Sequence, residues 1–210
     1  MPELLPMFPL ELVVFPNEDL NLHIFEPRYQ ELIRDCENKK ITFGIPAYIG
    51  GELMPIGTEI RLKKVVKRYQ GGESDIRTQG VGIFAIRKYY DQFPGKLYAG
   101  AEVDRLPLDT AEMPYMNEQI IKKTLELFEL LDIDKEFDED NARFSIFDIA
   151  HHVGLTIEQE YELLEIANAH ERQEYLLDHL SRLLPVVRHM EEIREKAKMN
   201  GHFRKIIPPK

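Results

Sequence analysis

The chain opens in short apolar runs broken by proline and glycine and closes in helical periodicity. Leu4 to Phe15 is apolar but interrupted by Pro6 and Pro9, which predicts an edge strand, because proline gives no amide to a central ladder. Pro27 suits a first helical turn, where no amide donor is needed. Tyr29, Leu32, Ile33 and Cys36 then recur at helical spacing and predict a helix over 27–37 with one buried face. From Ile41 to Leu106 the pattern changes to strands and turns. Ile41–Ile45 is β-rich, Gly50-Gly51 suits a tight turn, and Gly71-Gly72 predicts a hairpin into a return strand over 75–90. Gly80 and Gly82 within that strand predict a bulge, and a last strand is expected over 97–103. Several strands with little helix between them predict a small barrel or sandwich.

Beyond residue 111 the period lengthens. Ile120, Ile121, Leu125, Phe128 and Leu131 predict one buried stripe on a helix over 118–131, followed by a polar linker, Asp132 to Arg143. Ser145 with Asp148, Thr156 with Gln159, and Asn168 with Glu171 have capping-box spacing or nearly so, which predicts three more helices. Leu176, Leu180, Leu183, Val187 and Met190 alternate steps of four and three along the last, a seam read as intramolecular rather than as a dimeric coiled coil. Pro185 is expected to kink it. The fold class is therefore α+β, with a β-rich lobe over 1–111 and a helical lobe over 112–210.

Charge sharpens that division. Residues 1–111 carry 14 Lys and Arg against 16 Asp and Glu, and residues 112–210 carry 13 against 21. The net charge of -10 opposes nonspecific binding to nucleic acid or anionic lipid. Cys36 is the single cysteine, so an internal disulfide and a cysteine-based zinc cluster are both excluded. That fits a reducing compartment, and a cytoplasmic location is expected. Met1 to Pro6 lacks the basic start and apolar core of a signal peptide, and no apolar run approaches the ~20 residues that cross a bilayer.

Catalytic sets are hard to assemble from these residues. Of the three serines, Ser74 stands at a hairpin, Ser145 at a helix cap and Ser181 within the last helix, and none lies in a nucleophile elbow. Cys36 has Asp35 and Glu37 beside it, which disfavour a thiolate. His170 and Glu174 have the spacing of two zinc ligands but lack a second histidine, so a metal-dependent hydrolase centred there is a weak alternative, and adjacent His151 and His152 point apart on a helix. Asp132 to Arg143 begins like a calcium loop but has Phe137 where glycine belongs and Arg143 where glutamate belongs. No phosphate-cradling glycine loop occurs. Arg61, Lys63, Lys64, Lys67 and Arg68, near Tyr69, suit either an RNA-facing strand or the lysine guard of a sheet edge, and the charge balance favours the guard.

Phe8-Pro9-Leu10, Val14-Phe15-Pro16 and Leu20-x-Leu22-His23-Ile24-Phe25-Glu26-Pro27-Arg28-Tyr29 resemble the opening of the Lon protease amino-terminal domain. Gly72-x-x-Asp75-Ile76, Gly80-x-x-x-Phe84 and Leu97-x-x-x-Ala101-Glu102-Val103-x-x-Leu106-Pro107 are similar to its second half, and Leu163-Leu164-Glu165 with Glu171-Arg172 to its helical part. Two departures are Gly82-Ile83-Phe84, where the family often has an arginine before the phenylalanine, and Asn17, often glycine there. The resemblance implies a PUA-like pseudo-barrel followed by a helical bundle with a long final helix. It also implies recognition of protein substrates, with ATP hydrolysis and peptide cleavage left to later domains. The expectation is a stand-alone, non-catalytic polypeptide-binding module, an adaptor or regulator in proteolysis, with no cofactor and no metal. Its partners would be protein substrates or a proteolytic partner; the alternative is an RNA-binding PUA-like module. Within the signature, Phe25 and Tyr29 are expected to bury their rings, and Glu26 and Arg28, flanking Pro27, to form a partly buried ion pair. Phe25 to Tyr29 would then be architectural, and binding contacts are expected at Tyr48, Tyr69, Tyr89 and Tyr90.

Overall fold

The computed structural model describes residues 3–134, 137, 139, 140 and 144–202, with the backbone alone at 199–202. Chain contacts divide these residues into two compact units, one of residues up to 110 with 154–169, the other of 111–153 with 170 onward.

The first unit is built on six strands: β1 (Glu3–Met7), β2 (Asp19–Ile24), β3 (Phe43–Ile49), β4 (Glu52–Arg68), β5 (Ser74–Tyr90) and β6 (Ala99–Leu106). Their order is β2-β5-β4-β3-β1-β6, and β6 also pairs with β5, so five strands close into a barrel and β2 hangs from β5 as a flange. β5 serves both neighbours by dividing its length: Ser74–Gln79 pairs with β2 and Ile83–Tyr90 with β6. The expected bulge separates the two halves, since Glu59 and Ile60 of β4 face Gly82 and Gly80 and leave Val81 over. Gly80 is also a close approach, because a Cβ there would stand 2.3 Å from the Phe15 carbonyl oxygen.

Two expectations for the opening segment are corrected. The first strand stops at Met7 rather than Phe15, and it is an inner strand, between β6 and β3. Pro6 is tolerated because the bonds to β3 start beyond it: Phe8 donates to the Gly44 carbonyl, and Leu10 donates to Pro46 and accepts from the Tyr48 amide, so no amide is needed at residue 6. The second correction is β2 itself, whose residues were read only as motif. The last strand also shifts, to Ala99–Leu106. Asn17 takes φ 66°, so the residue standing where glycine is common is one of the few that accept left-handed backbone. Gly50 and Gly51, at φ 60° and 88°, make the predicted β3–β4 turn.

Helix α1 (Pro27–Lys39) buries Tyr29, Leu32, Ile33 and Cys36 as its period predicts, in one cluster with Phe8, Ile24, Phe43, Ile45 and Ile60. A second cluster, Leu5, Met7, Phe84, Ala101 and Val103, fills the barrel between β1, β5 and β6. Charged staples tie loops to this frame. Asp35 accepts a 2.6 Å hydrogen bond from Tyr98 and pairs with Lys96 at 2.5 Å and Lys39 at 3.2 Å. Burial alone would raise the Asp35 carboxyl, but those three donors outweigh it and bring the pKa down to about 2. Helix α3 (Ile157–Glu165) starts at the expected Thr156–Gln159 capping box and belongs to this unit, its Tyr161 hydroxyl accepting from the Ile56 amide at 3.1 Å.

The second unit holds α2 (Pro114–Leu131), two 3-10 turns (Ile146–Asp148 and Ala150–His152) and α4 (Ala169–His202). The Ser145–Asp148 capping box forms but opens a three-residue turn instead of an α-helix. The buried stripes are rotated from those expected. On α2, Thr124 and Leu127 replace Leu125 and Leu131, which are exposed, and on α4, Leu184 takes the place of Leu183 while Met190 is 62% exposed. α4 continues through Pro185. Residues 135, 136, 138 and 141–143 of the Asp132–Arg143 linker, and with them the twelfth position of the calcium-loop reading, lie outside the described residues. Phe137 does not fit a solvated linker, as its ring packs against Phe128 and Phe144.

Candidate functional site

The Leu22–Tyr29 signature spans the end of β2 and the start of α1, and its side chains divide between core and surface. Pro27 sets the first turn of α1, and Gln30 donates from its side chain to the Phe25 carbonyl at 2.9 Å, fixing the entry. Tyr29 turns inward and stacks on Phe8 with centroids 3.8 Å apart, and burial raises its phenol pKa. Phe25 does not join it. Its ring is 61% exposed and lies against His23, centroids 6.2 Å apart. The burial expected for this pair therefore holds for Tyr29 alone, because β2 still alternates at residue 25 and sends that side chain outward. Glu26 and Arg28 do pair, at 2.8 Å, but with side chains 38% and 50% exposed the bond is a surface one of small energetic weight.

Around Phe25 the outer face of β2 and β5 builds a row. His23 Nδ1 lies 2.7 Å from Asp75 Oδ1, and Tyr69 donates its hydroxyl to Asp75 Oδ2 at 2.7 Å. The Tyr69 ring meets His23 edge-on at 5.8 Å, and the Lys67 ammonium stands 4.3 Å from the Tyr69 centroid. Those hydrogen bonds, from His23 first and Tyr69 second, hold the Asp75 carboxyl below its usual range. Phe25 and His23, both exposed, and the half-buried Tyr69 thus form an aromatic ledge whose far members are oriented by one carboxylate.

The other tyrosines lie elsewhere. Tyr48 is 40% exposed, and Tyr89 is within electrostatic reach of both Tyr48 and Tyr29; burial, then Tyr29 and Asp91, raises the Tyr89 phenol. Tyr90 faces another way, donating to Glu102 at 2.5 Å under the Lys88 ammonium. The four tyrosines do not converge on one surface: Tyr69 meets the signature at His23, and Tyr89 lies near Tyr29 and Arg28.

A cleft of about 330 Å³ opens between the end of α1 and the half of β4 that runs past β3. Lys40, Arg61, Lys63 and Lys64 rim it over a floor of Cys36, Ile41, Leu62 and Val65. Glu37 is held at one end by Arg68 through two short hydrogen bonds. The Cys36 thiol is pushed up to about 12 by burial first and by Asp35 and Glu37 next, which removes it as a nucleophile. In the second unit His170 lies 3.4 Å from Glu174 and 3.0 Å from the Met116 sulfur. Among the described residues no three His, Cys, Asp or Glu side chains gather to hold a metal ion.

With this geometry in hand, the chain matches over residues 4–182 a family model described as the ATP-dependent protease La (LON) substrate-binding domain. The chain belongs to that family. Among solved structures it is similar to a Lon N-terminal domain protein from Xanthomonas campestris, at 25% identity and TM-score 0.66, covering 84% of this chain and 98% of that one. It shares the fold of the N-terminal domain of the Mycobacterium avium complex Lon protease at 16% identity and TM-score 0.60, covering 85% and 98%. No curated protein matches it. In this Lon-type domain the signature is part staple and part surface. The surface part went unread because Phe25 and Tyr29 share a helical spacing while the chain between them changes from strand to helix. Leu20, Leu22 and Ile24, alternating with Asp19, Asn21 and His23, carried the signal that would have placed Phe25 outside.

Proposed function

We propose that this Lon-type domain is a non-catalytic module that recognises polypeptides, working as an adaptor or regulator of a cytoplasmic proteolytic system, with a PUA-like barrel as its scaffold. The observation that supports this most is the Phe25–His23–Tyr69 ledge on the family's own signature. A phenylalanine 61% open to water beside two oriented rings is an anchor for apolar side chains rather than a packing element. Tyr48, Tyr89 and Tyr90 contribute lesser contacts, and Glu26, Pro27, Arg28 and Tyr29 hold the ledge in place. The two units serve as separate lobes. The test is fluorescence anisotropy with labelled, unfolded casein against an inert acidic protein. Saturable binding weakened by Phe25→Ala and Tyr69→Ala is expected, and binding no better than the acidic control ends the reading.

A second reading, an RNA-binding PUA-like module, draws on the cleft between α1 and β4, where Lys40, Arg61 and Lys64 form no ion pair among the described residues. It requires salt-dependent affinity for single-stranded RNA that Lys63→Glu with Lys64→Glu abolishes. The net charge of -10 weighs against it.

A further inference from the structure

Among the described residues, two sheet edges of the barrel unit lack a neighbour, and they are built in opposite ways. One is the stretch of β4 past Ile60, where the ladder to β3 ends. Its register breaks between Leu62 and Lys64 and again between Val65 and Lys67, and it carries Arg61, Lys63, Lys64, Lys67 and Arg68. Bulges and lysines are the means by which sheets refuse a further strand. The other is β2, which stands last in the sheet and pairs with β5 over six residues, Asp19 opposite Gln79 through Ile24 opposite Ser74, without a break. It contains no proline, lysine or arginine.

The hydrogen-bond parity of β2 follows from its ends. Gly80 donates its amide to the Glu18 carbonyl at 2.9 Å, and the Thr78 hydroxyl donates to the Leu20 carbonyl at 2.9 Å, so the carbonyls of Glu18 and Leu20 point at β5. Antiparallel ladders alternate, so Leu22 and Ile24 also bond inward, and Asp19, Asn21 and His23 turn their amides and carbonyls outward. Those three residues are exposed, and no backbone partner meets them among the described residues. At the end of this row stands Phe25, on the ledge already described.

We propose that the outer edge of β2 accepts an extended polypeptide segment as an added strand, with one bulky apolar side chain of that segment seated against Phe25. This rests on the polypeptide-binding reading and gives its mode: backbone bonds at Asp19, Asn21 and His23 supply sequence-tolerant affinity, and the Phe25–His23 stack supplies selection. A chain already folded has few free strands to offer, so the segment recognised is an unfolded one. A second copy pairing through its own β2 would match the same backbone spacing. Six residues per copy cover far less than the ~1,200 Å² of a stable dimer, which favours a transient client over a self-complex.

The probe is a fluorescein-labelled peptide of about ten residues, alternating threonine and valine around one phenylalanine, with a copy N-methylated at alternate backbone amides. The whole chain is expected to bind the first, and N-methylation in the register facing β2 is expected to cost roughly tenfold or more, the worth of one or two backbone hydrogen bonds. Asn21→Pro removes one outward amide without touching the β5 ladder, and it should cause a similar loss with an unchanged melting temperature. Amide exchange at Asn21 and His23 should slow on binding. Equal affinity for the methylated peptides in either register, or exchange unaltered at those amides, overturns the proposal while leaving polypeptide binding intact. A dimer seen by sedimentation velocity and dissolved by Asn21→Pro overturns it in favour of self-pairing. Failure to bind this peptide overturns it as well, and failure to bind unfolded casein in addition removes the underlying reading. If Asn21→Pro lowers the melting temperature, the methylated peptides and the exchange measurement still decide.

Discussion

The barrel unit surrounds Phe43, Ile60 and Phe84 with other apolar side chains, and its buried Thr58 and Thr78 hydroxyls bond to neighbouring backbone carbonyls, whereas the helical unit binds polar side chains to one another among its apolar ones. Gln173, fully buried, accepts from the Met113 amide at 2.8 Å and donates to the Met113 carbonyl and to Asn117, closing the first turn of α2 with a side chain from another helix. Glu112, whose carboxyl is raised mainly by burial, accepts from Asn117 and Ser145. Arg172, 1% exposed, lies with its guanidinium 5.3 Å from the Phe147 ring. One core is specified by volume and the other by donors and acceptors, so the two should answer differently to the same kind of substitution.

The largest effect is expected in the barrel, where Phe84→Ala empties the space between β1 and β5. A loss of about 4 kcal/mol in urea unfolding is expected. In the helical unit Gln173→Leu keeps the volume and removes only polar partners, leaving Met113 and Asn117 unsatisfied, for a loss of about 3 kcal/mol. Exchange mass spectrometry should show that loss in α2 and α4; a neutral result would make the second core apolar in kind after all. At the barrel rim Asp35→Asn should cost about 2 kcal/mol at neutral pH. An unfolded Asp titrates near ~3.9 and Asp35 in the folded chain at about 2, so its contribution is complete above the first value and vanishes as pH falls through the second. The gap between wild type and variant should close across that window in acid titrations of stability. Leu125→Gln, on the exposed side of α2, should change stability by less than ~0.5 kcal/mol, where the expected stripe would have made it severe.

The same contrast explains what was legible. The face of α1, the turn at Gly50-Gly51, the β4–β5 hairpin and the bulge at Gly80 and Gly82 could be read because period and glycine placement there report an apolar interior. The stripes of α2 and α4 were misplaced because Thr124 and Gln173 occupy core positions that an apolar count skips, passing the vote to Leu125, Leu131, Leu183 and Met190. The Ser145–Asp148 box marked a helix start but not a length, since a cap satisfies the first amides whether or not more turns follow. Of the ledge, Tyr69 was singled out for its ring alone. His23 and Asp75 were not, because their pairing joins strands 52 residues apart.

Closure of the barrel sets Glu3 opposite Val103, so β1 finds its antiparallel partner about a hundred residues after itself. During synthesis at roughly 5–20 residues per second, β1 waits on the order of 5–20 s before the ribosome has delivered the strand it needs. Through that interval Leu5 and Met7, both destined for the sealed interior, lack the Phe84, Ala101 and Val103 side chains that complete their cluster. Until then β1 is itself an extended apolar segment with a free sheet edge, the kind of chain that the proposed β2 edge would accept.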